Sequence, residues 1–257
     1  MFIDTHCHLT DDKIKDRAAA VVESYLSENV EKVIDVGCSV KSSLAARDNS
    51  RIYESVFFAA GVHPSDSEGF GEAEEKEIEK LLSDPKCVAL GEIGLDYYWK
   101  PYDDKAQKEC FVRQLELAVK TRMPVALHVR DAYKDAADIL KNYRDKLVGG
   151  IMHCYSGSKE MSEIFSDYGM SFSFGGTSTY KNAKNVREVV NYLPADLILT
   201  ETDSPYLAPE GLRGTVNEPK NIPLIAANLA SIKGFATEKF AEIVMENAKR
   251  VFPKLNV

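Results

Sequence analysis

The sequence has no long hydrophobic run and no secretory signal pattern. None of its apolar segments approaches the ~18 consecutive apolar residues that a membrane-spanning helix requires. The first residues, MFIDTHCH, lack the basic start and apolar core of a signal peptide. We therefore expect a soluble, cytoplasmic protein with no membrane partner.

Cysteine is scarce and carries no pairing pattern. The five cysteines are odd in number and widely spaced, and no two of them form a CxxC motif. This distribution argues against a disulfide framework and against a cysteine zinc site. A reducing cytoplasm suits such a chain.

The sequence also lacks an excess of positive charge. It contains 32 Lys and Arg against 40 Asp and Glu, for a net charge of −8. A protein that coats nucleic acid or anionic membranes by bulk charge is therefore excluded, and a phosphate substrate would need local positive charge. The hydrophobic fraction of 44% and the charged fraction of 28% are those of an ordinary globular protein.

Eight short apolar runs recur along the chain and predict strands. They are rich in Val, Ile, Phe and Leu rather than alternating polar with apolar residues, which favours a parallel sheet buried on both faces. The runs span residues 2–6, 32–37, 56–61, 87–93, 124–129, 148–153, 170–175 and 197–202.

Amphipathic segments between the runs predict helices. They include residues 16–28, 72–84, 106–122 and 183–194, and two further helices are expected at 222–233 and 237–251. Strand and helix alternating eight times in 257 residues predict an α/β fold, a (β/α)8 TIM barrel, as one domain over residues 1–257. A doubly wound open sheet is the alternative, but no GxGxxG motif follows the first strand.

All five histidines fall at the predicted ends of strands, and two carboxylates join them there. In a barrel of this kind, functional groups collect at the carboxyl ends of the strands. The residues are His6, His8, His63, Glu92, His128, His153 and Asp203.

The spacing of His6 and His8 favours metal binding. Residues two apart on a strand point to the same side, here the barrel axis. Buried imidazoles and carboxylates are costly unless a cation satisfies them together. This ligand set suits Zn²⁺, Mn²⁺, Fe²⁺ or Ni²⁺, and a bridging carboxylate lets two ions sit roughly 3.5–4 Å apart.

Ordered motifs along the whole chain carry a family resemblance. They are DTHCHL at 4–9, GVHP at 61–64, GEIGLDYY at 91–98, HVRDA at 128–132, HCYSG at 153–157, TETDSPYLAP at 200–209 and RGxxNEP at 213–219. With these motifs the sequence resembles the TatD-like metal-dependent hydrolases of the amidohydrolase superfamily.

The resemblance implies two divalent metal ions, with Zn, Mg, Mn and Ni all open as their identity. It implies that one ion is held by His6, His8, Glu92 and Asp203. The second would be held by Glu92, His128 and His153, with Glu92 as the bridge. Glu92 and Asp203 are then the expected catalytic residues.

Four further residues are expected to contact substrate or support the site. The resemblance places His63 beside the metals, while Arg130 and Glu201 are either phosphate or supporting contacts or solvated loop charges. Tyr155 stands where phenylalanine is common in the family, next to the site. Thr10 replaces an aspartate that is not counted as a ligand. Cys7 and Cys154 alternate with ligands and are expected to point outward into packing.

The resemblance implies a deoxyribonuclease that trims DNA or nucleotides from a 3′ end. Two cations would lower the pKa of a bound water, and Asp203 would accept its proton. Lys and Arg in the rim loops would contact flanking phosphates, and aromatic residues there would either stack on bases or wall the pocket.

Two other functions remain open. The same centre would also suit a small amide, ester or lactone substrate. A noncatalytic scaffold or metal-storage protein is the third hypothesis. We expect a monomer with no obligate protein partner.

Overall fold

The chain forms a nearly closed barrel of parallel strands. The computed structural model describes residues 1–101 and 103–256, so residues 102 and 257 of the predicted domain lie outside it. Within the described residues, eight strands lie side by side in chain order. They are β1 Phe2–Cys7, β2 Val30–Val36, β3 Val56–Ala60, β4 Cys87–Asp96, β5 Val125–Arg130, β6 Gly150–Met152, β7 Met170–Phe174 and β8 Ile198–Thr200. The predicted (β/α)8 fold class is confirmed.

Helices connect the strands and surround them. They are α1 Ala18–Ser27, α2 Val40–Ile52, α3 Glu72–Leu82, α4 Asp104–Thr121, α5 Tyr133–Leu140, α6 Lys159–Asp167, α7 Lys184–Tyr192, α8 Ile222–Lys233 and α9 Thr237–Val251. Side chains at Ser39, Asp103 and Ser158 accept backbone N–H groups and so begin α2, α4 and α6. No helix in the described part of the chain is long and apolar enough to cross a membrane.

The seam between β1 and β8 is closed largely by side chains. The Thr5 hydroxyl donates to the Thr200 carbonyl over 3.0 Å, and the Thr200 hydroxyl donates to the Ile3 carbonyl over 2.8 Å. Just beyond β8, the Asp203 N–H donates to the His6 carbonyl over 2.9 Å. The first and last strands are therefore joined at the end of the barrel where the polar residues lie.

Apolar side chains fill both sides of the sheet. Every residue of β4 is buried, which accounts for the apolar run over residues 87–90 with which it begins. Cys7 packs outward with Val21 and Tyr25 of α1, and its thiol donates to the Ile34 carbonyl. The expected outward packing of Cys7 is confirmed.

A glycine allows β4 to approach β5 closely at the level of the site. Gly94 has φ +144°, and a Cβ added to it would lie 1.9 Å from the His128 carbonyl oxygen. We expect Gly94→Ala to lower the free energy of unfolding by more than about 2 kcal/mol, because both backbone strain and the clash oppose the native conformation. Urea unfolding measures this change.

Gly69→Ala is the matched control, since a Cβ there meets no atom within 4 Å. We expect it to change stability by less than about 0.5 kcal/mol. Equal unfolding midpoints for the two variants would contradict the close approach of β4 and β5.

Candidate metal centre

The seven polar residues predicted at strand ends meet at one end of the barrel. His6 lies in β1, Glu92 in β4 and His128 in β5, so the sheet itself fixes their positions. His8, His63, His153 and Asp203 follow β1, β3, β6 and β8 within a few residues. The carboxyl ends of the strands therefore assemble a single cluster.

One half of the cluster faces the Oε2 atom of Glu92. Its Oε2 lies 3.4 Å from His6 Nε2 and 3.7 Å from His8 Nε2. The two Nε2 atoms are 3.3 Å apart, and Asp203 Oδ1 lies 3.3 Å from His8 Nε2. Four potential ligand atoms thus converge on one point.

The other half faces the Oε1 atom of Glu92. This oxygen lies 2.8 Å from both His128 Nδ1 and His153 Nε2, which are 3.3 Å from each other. His63 Nε2 is 3.8 Å away. Glu92 therefore presents one carboxylate oxygen to each half of the cluster.

The donor chemistry of both halves fits divalent cations. His6 Nε2 and His8 Nε2 face each other and two carboxylate oxygens, and a cation satisfies such a set without requiring extra protons. His6, Glu92 and His153 are at most 7% exposed, so water cannot readily solvate their polar atoms. The predicted metal ligands are brought together, and the set matches the nitrogen and oxygen ligands of such cations.

Outer contacts fix the orientation of the histidine rings. His8 Nδ1 lies 2.9 Å from the Val36 carbonyl oxygen, and His128 Nε2 lies 2.9 Å from Asp96 Oδ2. Partners of this kind hold a metal-binding imidazole in one tautomer and one orientation.

Electrostatics keep the two carboxylates ionised. Burial raises the pKa of Glu92, but the charges of His153 and His6 outweigh it and hold that pKa well below its usual value. Burial likewise opposes ionisation of Asp203, while the hydrogen bond with His8 and the histidine charges lower its pKa. Both groups are therefore anionic at neutral pH, as metal ligation requires.

Comparison with known proteins agrees with this geometry. Residues 3–253 match the family model described as TatD related DNase. The chain belongs to the TatD related DNase family. The uncharacterized metal-dependent hydrolase YabD of Bacillus subtilis is 38% identical over 252 residues, covering 98% of this chain and 99% of YabD. The 3'-5' ssDNA/RNA exonuclease TatD of Escherichia coli is 31% identical over 254 residues, covering 97% and 98% of the two chains.

Solved structures show the same fold. The TatD homologue YJJV from Escherichia coli superimposes with a TM-score of 0.93 at 28% identity, covering 98% of both chains. An uncharacterized amidohydrolase from Saccharomyces cerevisiae gives a TM-score of 0.85 at 18% identity, covering 98% of this chain and 99% of the yeast chain, which shows the fold alone. The resemblance to TatD-like proteins is confirmed, and the chain is a metal-dependent hydrolase.

Two of the residues predicted to contact substrate are buried. Tyr155 is 2% exposed, packs against Phe172 and Phe174, and donates its hydroxyl to the Ser158 carbonyl over 2.7 Å. Glu201 is fully buried. The expected substrate contact of Tyr155 is therefore wrong, because the chain after β6 turns its ring into the core.

Glu201 lies behind a histidine rather than on the pocket surface. Its Oε1 is 3.6 Å from His153 Nδ1, and its Oε2 accepts a hydrogen bond from Ser173. A substrate cannot reach it, so of the three roles expected for Glu201, phosphate contact and solvated loop charge are wrong, and a supporting contact with the His153 ring remains.

His63 and Arg130 do reach the mouth of the barrel. The His63 ring packs edge-on against His128, with centroids 4.5 Å apart, and its Nδ1 accepts the Ser65 N–H over 3.1 Å. Arg130 ends β5, two residues beyond His128. Both are partly exposed beside the predicted ligands.

Asp96 and Cys38 belong to the site and were missed in the sequence. Asp96 follows Glu92 at an even spacing in GEIGLD, so the period of two was an available signal. The thiol of Cys38 lies 3.6 Å from Glu92 Oε2 and 3.7 Å from His8 Nδ1. No sequence pattern marks Cys38, which follows β2 without a second cysteine nearby.

The RGxxNEP motif holds the loop that carries Asp203. Asn217 donates to the Thr202 carbonyl over 2.9 Å and to the Tyr206 carbonyl over 2.8 Å. From the other side, the carboxylate of Asp4 accepts the Thr202 N–H over 2.9 Å. These bonds fix Asp203, whose backbone is in the left-handed region with φ 54°.

Proposed function

We propose that this chain is a nuclease that binds two divalent metal ions and removes nucleotides from the 3′ end of single-stranded DNA. The observation that carries the proposal is the position of Glu92, whose two oxygens face two separate groups of ligands. The name of its relative, the 3'-5' ssDNA/RNA exonuclease TatD of Escherichia coli, supports the choice of substrate and of end.

His6, His8 and Asp203 would hold one ion, and His128 and His153 the other, with Glu92 shared between them. When bound, divalent cations supply a nucleophile at neutral pH by lowering the pKa of water, and they polarise the phosphoryl oxygen. The two ions would also supply positive charge where the scissile phosphate binds, which the chain, with a net charge of −8, does not provide in bulk.

Asp203 is the residue proposed to move the proton. Its carboxylate is ionised at neutral pH and is partly exposed at the mouth of the barrel. It accepts the proton of the attacking water and returns it to the leaving oxygen, so no covalent enzyme intermediate is needed.

His63 is proposed to bind the substrate as a neutral donor. Burial lowers the pKa of His63 to about 4, so the ring is uncharged at neutral pH. Because Nδ1 accepts the Ser65 N–H, the ring proton sits on Nε2, which faces the site. From there it donates to an oxygen of the phosphate.

The shape of the site favours a strand end. Glu92 and His6 lie at the bottom of the barrel mouth, at most 3% exposed. A single strand terminus reaches such a depth more easily than the middle of a duplex.

The chain is proposed to act as one domain over residues 1–257, as a monomer, because every residue of the centre comes from one chain. Its five unpaired cysteines suit the cytoplasm.

A cleavage assay tests the proposal. We expect nucleotides to be released from 5′-labelled single-stranded DNA with a free 3′ end, to stop with a chelator, and to resume when a divalent metal is added back. Single-stranded circles of the same sequence, which have no end, should stay intact. Rapid cutting of circles would contradict the exonuclease, and turnover of small esters, amides or lactones without DNA cleavage would favour the acyl substrates.

A further inference from the structure

Two adjacent aromatic side chains lie exposed at the mouth of the barrel. Tyr98 and Trp99 follow the end of β4 and are 49% and 66% exposed. Their rings are perpendicular, with centroids 4.9 Å apart. Adjacent exposed rings form an apolar surface of the kind that marks a binding site.

An arginine without a carboxylate partner covers part of this surface. The guanidinium of Arg130 lies 3.7 Å from the centroid of the Tyr98 ring and 5.6 Å from that of Trp99. Among residues 1–101 and 103–256, no Asp or Glu pairs with it. An arginine stacked on an aromatic ring keeps its in-plane N–H groups free for an oxyanion such as phosphate.

One carboxylate connects this surface to the metal centre. Asp96 Oδ2 lies 2.9 Å from the ring of His128, while Oδ1 accepts the N–H groups of Tyr98 over 2.8 Å and Trp99 over 3.4 Å. Arg130 is two residues beyond His128 on β5 and so lies on the same side of that strand. The aromatic pair and the arginine are therefore held directly beside a predicted ligand.

We propose that Tyr98, Trp99 and Arg130 form a subsite for the nucleotide next to the scissile bond. The base stacks on the aromatic rings, and the guanidinium binds the phosphate that follows. This inference rests on the proposed nuclease function and adds the residues that bind the nucleotide beside the scissile bond, whatever its base. Every base offers a π-face, but a base inside a duplex is already stacked and paired, so the subsite selects single strands.

Fluorescence tests base stacking without turnover. Trp99 is the single tryptophan of the sequence, so emission excited at a wavelength that tyrosine does not absorb reports on this surface alone. In the Asp203→Asn protein, which leaves the probe intact, we expect a short oligothymidylate to quench this emission in a saturable way. An abasic oligomer of equal length should not. Equal quenching by both, or quenching by neither, overturns the stacking.

Steady-state kinetics test the contribution to substrate binding. We expect Trp99→Leu and Arg130→Gln each to raise KM for single-stranded DNA roughly tenfold, with kcat and metal content little changed. Trp99→Phe keeps a stacking ring and should restore most of the affinity. A KM equal to that of the wild type for both Trp99→Leu and Arg130→Gln overturns the subsite.

Tyr192→Leu is the matched control. Tyr192 is also an exposed aromatic residue, 44% exposed, with the Lys159 ammonium 4.1 Å from its ring centroid, but it lies on the outer helix α7. Its replacement should leave KM unchanged. If the wild type releases nucleotides and both Trp99→Leu and Arg130→Gln have its KM, the subsite alone fails. If the wild type releases none from any nucleic acid, the proposed function fails.

Discussion

Glu92→Gln is expected to lower kcat by about 1000-fold or more and to reduce the amount of metal bound. The amide has nearly the same shape, but it replaces one anionic oxygen with an N–H donor. Whichever way the amide turns, one of the two halves of the cluster loses its carboxylate oxygen. Metal analysis of the purified variant, together with its kcat, measures both effects.

The control for this variant is Glu23→Gln on the exposed face of α1. It makes the same chemical change far from the site and should leave kcat and metal content as they are in the wild type. Undiminished hydrolysis by Glu92→Gln would exclude the shared carboxylate and favour a noncatalytic role for the cluster.

Asp203→Asn is expected to lower kcat by about 100-fold to 1000-fold, while most of the metal stays bound. The amide cannot accept a proton, whereas His6, His8 and Glu92 keep their ligand atoms. The loss therefore falls on kcat rather than on metal affinity, in contrast to Glu92→Gln. Single-turnover cleavage of labelled DNA, with metal content measured on the same sample, separates the two effects.

Asp138→Asn on the exposed face of α5 is the matched control and should retain full activity. A variant of Asp203 that loses all its metal would assign that residue to ligation alone. If Asp203→Asn keeps the wild-type kcat, Asp203 does not transfer the proton.

The barrel was accessible from sequence because its strands are apolar on both faces. Each of the eight predicted runs overlaps a strand, and the predicted helices at 222–233 and 237–251 match α8 and α9 at both ends. Periodicity within a strand also indicates which residues share a side, which is why His6 and His8 were assigned to one site.

The errors arise where a strand ends or a loop begins. The fourth apolar run predicts a strand that ends at residue 93, but β4 continues to Asp96, which thereby reaches the site. Beyond β6 no period applies, so the inward turn of Tyr155 depends on packing against Phe172 and Phe174. The orientation of a side chain in such a loop depends on its packing partners from other segments, so the local sequence does not predict it.

The seam between β1 and β8 has a consequence for biosynthesis. Asp203, which meets His6 and His8 across that seam, emerges from the ribosome nearly two hundred residues after them. A nascent chain that ends after β7 still lacks Asp203, one of the proposed ligands grouped with His6 and His8. The group of proposed ligands around His6 and His8 is therefore completed only after the last strand of the barrel, β8, has been made.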